Sequence, residues 1–280
     1  MRPNAPRRQE PPSAQAGCRE GVPMGVRFET SGGVARIVFD TPGRKNALSP
    51  EDRFAIGDQL RALRHDPETR VILMTGEGAD FCSGADVTRM GKDGQTSART
   101  RMQRGVHAIA RELAAMEKPV ISAVRGAAVG FGWTMPLASD FVIASDTAKF
   151  SMVFSKRGLV PDGGAIHFLI RHLGQMRAKE LVYTARMIDA QEALDLGLLT
   201  SVVSDDTLDA AAEDLCASLL ERPTLALGMA RRLFEAAVST SLDDFLELEA
   251  FTQSQLNQSE DYKEAVRAFL EKRKPQFHGR

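Results

Sequence analysis

Pro119 to Met135, PVISAVRGAAVGFGWTM, constrains the fold more than any other stretch of the chain, because an apolar run ends in Gly126, Gly130 and Gly132 and then turns helical. Val120, Ile121, Ala123 and Val124 predict a buried strand, and the glycines let backbone approach a ligand closely before a helix begins near Phe131. The unbonded N–H groups at such a helix start, aided by the dipole, suit an oxygen that gains negative charge. A second segment repeats the design: the apolar run Val71 to Thr75 leads into Gly76, Gly78 and Phe81-Cys82-Ser83-Gly84-Ala85-Asp86. Two strand-to-glycine turns can aim one N–H each at a single oxygen. On the residues alone, the same glycines also read as tight turns required by packing, and both readings stand.

The surrounding pattern predicts short strands with glycine-rich exits, then helices. Val34, Ile37, Val38 and Phe39 form an early strand, Thr41 to Ala47 a polar loop, and residues 53–64 a helix built on Phe54, Ile56, Leu60 and Leu63. One long helix is expected from Ser97 to Glu117, with Met102, Val106, Ile109, Leu113 and Met116 at alternating steps of four and three. Strands at 120–124, 141–144 and near 150–153, with a helix at 131–138, complete the glycine-rich half. From Gly164 onward the reading is nearly all helix, over 165–173, 175–186, 190–196, 207–221, 223–237, 241–257 and 261–273. Strand-rich then helix-rich order predicts a mixed α/β core over 25–205 and a C-terminal helical module over 206–280. Phe245, Leu246, Leu248 and Phe251 exceed what a short appended bundle needs for itself, so the module is expected to pack against other copies.

Composition narrows the partners. A chain of 280 residues buries about three quarters of its unfolded surface, enough for one substantial core. With 36 basic and 37 acidic residues there is no global field for nucleic acid or an anionic membrane. Cys18, Cys82 and Cys216 are too few and too scattered for a disulfide framework or metal cluster, which points to a reducing, cytoplasmic compartment. Residues 1–24 interleave Pro3, Pro6, Pro11 and Pro12 with Arg2, Arg7, Arg8 and Arg19 and lack an apolar run, so they read as a disordered extension and not as a signal or anchor. No window approaches the roughly 18 apolar residues of a membrane span. There is no HExxH, no GxSxG elbow, no GxGxxG opening a βαβ unit and no Walker sequence, so metal, nicotinamide and nucleotide hydrolysis lose support.

FCSGAD and GAAVGFG, followed by SDFVIAS, AKFSM and GLVPDGG at these separations, together resemble the crotonase superfamily, also called enoyl-CoA hydratase/isomerase, from about Val26 to the C-terminus. The resemblance implies a spiral of strand-strand-helix turns and C-terminal helices that pack trimers, often paired into hexamers. The ending AFLEKRKPQF, Ala268 to Phe277, is similar to the family's last helix and tail. It implies that the N–H groups of Ala85 and Phe131 hold the oxygen of an acyl-CoA thioester, so coenzyme A enters as part of the substrate and no separate cofactor is expected. Ser83, Asp86 and Val87 flank the first donor. Arg44, Lys45 and Ala47 match the basic loop near the CoA phosphates, against an ordinary solvated turn, and Lys272 and Lys274 could meet the nucleotide end from the C-terminal helix, against ordinary surface lysines.

The two glutamates that many hydratases of the family use align with Thr134 and Phe154, neither of which can act as a carboxylate. Asp140, Asp146 and Glu180 lie near in sequence, but no motif places them at the thioester. Asp162, in Gly158 to Gly164, carries two readings. Pro-Asp-Gly is a turn signature and Asp a favoured N-cap for the helix that follows. By resemblance, family members that isomerise double bonds, or displace halide from an aromatic acyl-CoA, place an acid at this position. His107 likewise reads as a half-buried surface histidine or, by resemblance, as the functional histidine of the aromatic acyl-CoA dehalogenases, which also carry an aromatic residue where Phe154 falls. The expected activity is isomerisation of an enoyl-CoA through a thioester enolate, with Asp162 shuttling the proton. The alternatives are a hydratase with displaced acid/base groups, a thioesterase or dehalogenase using Asp162 and His107, and a non-catalytic CoA-binding or RNA-binding scaffold.

Overall fold

Val26–Ser31 (β1) and Val34–Phe39 (β2) pair antiparallel across a two-residue Gly32-Gly33 turn and open the chain's larger sheet. The computed structural model describes residues 25–86 and 95–280, so the extension over 1–24 and Val87 lie outside the described residues. After β2 come the helix Pro50–His65 (α1), the strand Val71–Gly76 (β3) and the helices Gln95–Arg104 (α2) and Val106–Ala114 (α3). The strand Val120–Val124 (β4) is followed by Ala127–Val129 (β5) and the helix Phe131–Leu137 (α4). Phe141–Ser145 (β6) is followed by Lys149–Ser151 (β7) and the helix Ala165–Thr184 (α5). Then come Ile188–Asp189 (β8), Ala190–Asp195 (α6), Ser201–Val203 (β9) and four helices, Leu208–Leu220 (α7), Thr224–Ala237 (α8), Leu242–Leu256 (α9) and Glu260–Glu271 (α10).

The strands form a six-stranded sheet, β1-β2-β3-β4-β6-β9, and a three-stranded one, β5-β7-β8. From β2 to β9 the large sheet is parallel. Its central strands are covered on both faces, which is why they read as unbroken apolar runs. Along β3 the side chains alternate: Ile72 and Met74 join α1 and α3 residues such as Ile56, Leu60, Ile109 and Leu113, whereas Val71 and Leu73 pack on Leu208, Ala212, Cys216 and Leu219 of α7. The chain twice places one strand in the large sheet, the next in the small sheet and then a helix, as β4-β5-α4 and β6-β7-α5.

Four features differ from the sequence reading. The strand β1 was not predicted; of its residues only Val26 is buried, so it carries little apolar signal. The single long helix over 97–117 is broken at Gly105, whose φ of −97° and ψ of −103° are not helical. The short strands β8 and β9, not expected from the sequence, lie in the gaps between the expected helices of the nearly all-helical stretch, and β9 extends the large sheet beside β6. Finally, α7 falls inside the predicted C-terminal module yet covers one face of the large sheet. The expected break between 165–173 and 175–186 is present as a kink at Gly174 within α5.

The last helices are different in character. No residue of α9 is buried, and Leu242, Leu246, Leu248 and Phe251 on it, with Phe269 and Leu270 on α10, are exposed. The tail folds back on α10: the Asp261 carboxylate accepts the N–H of His278 at 2.7 Å and of Gly279 at 2.8 Å, and Lys274 pairs with Glu221. Among the described residues, no helix is long and apolar enough to cross a membrane. Although α9 packs against α8, exposed apolar side chains of this kind predict self-association. Light scattering should give a trimer or its double, and Phe251→Asp, at a side chain 63 % exposed in the single chain, should shift the population to smaller species without unfolding it. A clean monomer at micromolar concentration would refute the expectation.

Candidate active site

Residues 81–86 run as a ribbon between β5 and the segment before α1. Phe81 N–H donates to Arg125 O and Cys82 N–H to Ala127 O, each at 2.8 Å, while Val129 N–H donates to Cys82 O at 2.9 Å. On the other side Leu48 N–H donates to Gly84 O at 2.8 Å and Asp86 N–H to Leu48 O at 3.0 Å. Ala85 is thereby fixed between two backbone neighbours. The second glycine turn lies directly against the first. A Cβ at Gly84, where φ is +93°, would sit 2.8 Å from Val129 O and 3.4 Å from Phe131 N, and one at Gly132 would collide with the Cys82 carbonyl. Only bare Cα atoms permit this approach.

The result is that the amides of Ala85 and Phe131 lie at neighbouring points of two interlocked turns. Phe131 opens α4, where an N–H has no partner within the helix. Among the described residues, neither amide donates to a protein acceptor. The two glycine turns expected from the sequence thus lie against each other. Cys82, fully buried, lies in the ribbon, with its Sγ accepting Gly84 N–H at 3.4 Å.

Asp162 is held against the same helix start. Gly163 lies on the Phe131 ring, and Thr134 Oγ1 donates to the backbone O of Asp162 at 3.4 Å. The N-cap reading fails, because α5 is capped by Gly164 with no side-chain hydrogen bond. Instead Asp162 Oδ1 is buried without a hydrogen-bond partner. Burial pushes its carboxyl up to about 6, opposed by the charge of Arg53 on α1. A desolvated acid that titrates near neutrality beside two free N–H groups can both take and return a proton.

The remaining candidates separate. Thr134 is buried and the Phe154 ring lies 3.7 Å from a Cβ built on Gly130, so the positions aligned with the hydratase glutamates hold a hydroxyl and a hydrocarbon face. Asp140 is committed to Val120 N–H and Arg231, and Glu180 to Arg186. His107, the second residue of α3 and half-buried, makes no hydrogen bond or ion pair with Asp162, so the structure does not join the two. Arg44, Lys45 and Ala47 do border the first turn: Ser83 N–H donates to Lys45 O at 2.9 Å, Arg44 pairs with Asp86 at 3.0 Å, and Ala47 N–H donates to Arg44 O at 3.2 Å. Lys45 is exposed, with Nζ 3.9 Å from Asp80. Lys272 caps α10, and the tail beyond it brings Gly279 beside Arg70, which precedes β3, and Thr224, which opens α8.

Two residues escaped the sequence reading. Asn46 is fully buried at a φ of +55°; its Oδ1 accepts Thr41 N–H at 2.7 Å and its Nδ2 donates to Glu77 O at 3.0 Å and Asp80 O at 2.6 Å, which locks the basic loop to the β3 exit. Its signal was an asparagine in a turn. Arg53 is the other, and nothing in its local sequence sets it apart.

Comparison with known proteins gives a consistent picture. The family described as Enoyl-CoA hydratase/isomerase matches residues 29–280. The 1,2-epoxyphenylacetyl-CoA isomerase of Escherichia coli (strain K12) is 37% identical over 251 residues, covering 89% of this chain and 96% of that protein. The crystal structure of an enoyl-CoA hydratase from Polaromonas sp. JS666 superposes with a TM-score of 0.85 at 33% identity, over 90% of this chain and 99% of that one. A Thermobifida fusca YX chain solved in complex with CoA superposes with a TM-score of 0.78 at 31% identity, over 84% of this chain and 95% of that one.

The environment of Asp162 predicts a pH-dependent stability. The folded carboxyl keeps its proton up to about pH 6, whereas the unfolded one loses it near pH 4, so the native state binds more protons between these values and stability falls as pH rises through that window. Ionised Asp162 then costs about 3 kcal/mol above pH 6. Asp162→Asn should melt higher than the wild type above pH 6, with the gain fading toward pH 4. A melting-temperature difference independent of pH would show that Asp162 is not the desolvated group described.

Proposed function

The chain belongs to the enoyl-CoA hydratase/isomerase family of the crotonase superfamily and has its mixed α/β fold, and from that premise we propose that it isomerises a double bond in an acyl-CoA thioester. In this reading the thioester oxygen sits between the N–H groups of Ala85 and Phe131. As the α-proton leaves, negative charge moves onto that oxygen, where two fixed donors stabilise it without reorganising. Asp162 takes the proton and delivers it to the γ-carbon. Arg44 and Lys45, with Ser83 and Asp86 shaping the turn between them, border the path of the CoA phosphates.

The observation that carries the proposal is the buried, unpartnered Oδ1 of Asp162 beside the Phe131 turn. Hydration would need a carboxylate to activate water, and the aligned positions hold Thr134 and Phe154 instead. A covalent route through Asp162 is less favoured, because His107 is not hydrogen-bonded to it. The relative named as a 1,2-epoxyphenylacetyl-CoA isomerase supports isomerisation of an acyl-CoA as the reaction class, and the chain solved with CoA supports the substrate handle. A scaffold without turnover has no use for a desolvated acid that costs stability.

A panel of 3-enoyl, 2-enoyl, aromatic and halogenated acyl-CoAs, read by mass spectrometry in deuterium oxide, tests the reaction. Isomerisation predicts deuterium at the α or γ carbon with no gain of water; addition of water, free CoA or released halide would each replace it. Asp162→Asn should lower turnover by about 10²–10⁴ with little change in acyl-CoA affinity. Ala85→Pro removes one donor and should cost about 10²–10³. Full activity in either folded variant would remove that residue from the mechanism.

A further inference from the structure

Near the start of α8, Gly228 presses its bare Cα on the chain between α3 and β4: a Cβ there would lie 1.9 Å from Glu117 O and 2.6 Å from Glu117 C. Only glycine lets the helix come this close. Arg231, three residues on and therefore on the same face, is carried between the ends of two other helices. Its Nη1 donates to Met116 O at 2.7 Å and to Ala114 O at 3.3 Å, at and just past the end of α3. Its Nη2 donates at 3.3 Å to the carbonyl of Ala138, the residue that caps α4. Its Nε donates to Asp140 Oδ1 at 2.6 Å, while Asp140 Oδ2 accepts the N–H of Val120, the first residue of β4, at 2.8 Å. The Arg231 side chain is only 12 % exposed, and its guanidinium is committed to three carbonyls and a carboxylate.

These bonds bear on α4 in particular. All seven of its residues are buried, and its carbonyl end is tied off from three directions. Ser139 Oγ donates to Met135 O at 3.1 Å, His172 Nε2 on α5 donates to Leu137 O at 3.1 Å, and Arg231 takes Ala138 O. Helix ends leave such carbonyls without partners, and cationic side chains meet them well. The opposite end carries Phe131, whose N–H donates to no protein acceptor among the described residues. The seam at Gly84 and Gly132 sets where Phe131 lies but leaves the direction of so short a helix to its far end. At a rise of about 1.5 Å per residue α4 is about 10 Å long, so a shift of about 2 Å at Ala138 swings its axis by about 10°. Catalytic groups have to be held to about 0.5 Å and 10–20°.

We infer that Arg231 is a positioning residue for the Phe131 amide: by binding the ends of α3 and α4 and Asp140 at once, it fixes the direction of α4 and so the direction in which Phe131 N–H points. The inference rests on the reading of that amide as an oxyanion donor. Arg231 acts from the far side of the sheet, where β4 and β6 begin, whereas the glycine turns follow the ends of β3 and β4. It thereby gives a helix of the C-terminal module a hold on the site. The planar fork of an arginine is what this takes, since a lysine ammonium on a flexible stem cannot span three carbonyls and a carboxylate.

The test uses Arg231→Met, which removes every donor, and Arg231→Lys, which keeps the charge beside Asp140 but not the fork, in the full chain. The direct readout is the infrared carbonyl band of bound butanoyl-CoA, isotopically labelled at its thioester carbonyl. Donors aimed at the oxygen lower the frequency of this band, whereas a folding defect changes its intensity without moving it. In the wild type the band should lie below that of the free thioester; in Arg231→Met it should return part way, and in Arg231→Lys by less. Turnover of 3-hexenoyl-CoA at saturation should fall about tenfold in Arg231→Met with little change in KM, because the oxyanion charge arises in the transition state. A band that stays in place in the folded variants, or a loss of turnover that follows the folded fraction alone, would overturn the inference. If Arg231→Met does not fold, Arg231→Lys carries the comparison. If the wild-type band already lies at the free position, the oxyanion reading fails by itself. In that case hydrogen exchange of the α4 amides, measured well below the melting temperature, decides the rest: faster exchange in the variants upholds the hold of Arg231 on α4, and unchanged exchange removes it.

Discussion

Backbone lies directly against backbone where residues 81–85 meet 127–132, and everything at the site is referenced to that seam. Cys82 donates to Ala127 and accepts from Val129, Gly84 lies close to the Phe131 amide, and the Cys82 carbonyl fills the space where Gly132 lacks a side chain. Side chains between the two turns would separate the donors by their own thickness. The seam is in turn anchored by sheet residues buried on both faces, so the amide positions are set by the core and not by the loop.

The polar chemistry placed on this frame is sparse. One carboxyl sits against the helix start, the charge of Arg53 opposes its desolvation, and Thr134 and the Phe154 ring lie nearby. Sparseness has a physical use. Each additional hydrogen bond to Asp162 would favour its ionised form and reduce its appetite for a proton, whereas complete isolation would leave it permanently protonated. A single charge at a distance lies between these limits. The desolvation that raises the carboxyl also strengthens the two amide dipoles toward a developing oxyanion.

Much of this was legible in the chain, and the failures have identifiable causes. The runs 71–75 and 120–124 announced themselves because both faces are buried, and the helix start at Phe131 because the glycines end the run abruptly. The break at Gly105 was hidden, since the apolar stripe steps from Met102 to Val106 across it without losing phase. Strands as short as Ile188–Asp189 and Ser201–Val203 leave no period to detect. Pro161-Asp162-Gly163 fits a cap and a base equally well by composition, and only burial and the absence of a capping bond distinguish them. Arg53, between Asp52 and Phe54, looks like any charge on the wet face of an amphipathic helix until the tertiary fold supplies what it faces.

Cys82 makes the seam chemically quiet. Its thiol is fully enclosed, and burial pushes its ionisation up to about 12, so near neutral pH essentially none is thiolate. An alkylating reagent can modify it only when residues 81–85 part from β5 and expose the sulfur. The rate of labelling at this one position therefore acts as a clock for opening of the 81–85 turn, and under the proposed mechanism a thioester bridging the two amides would slow it.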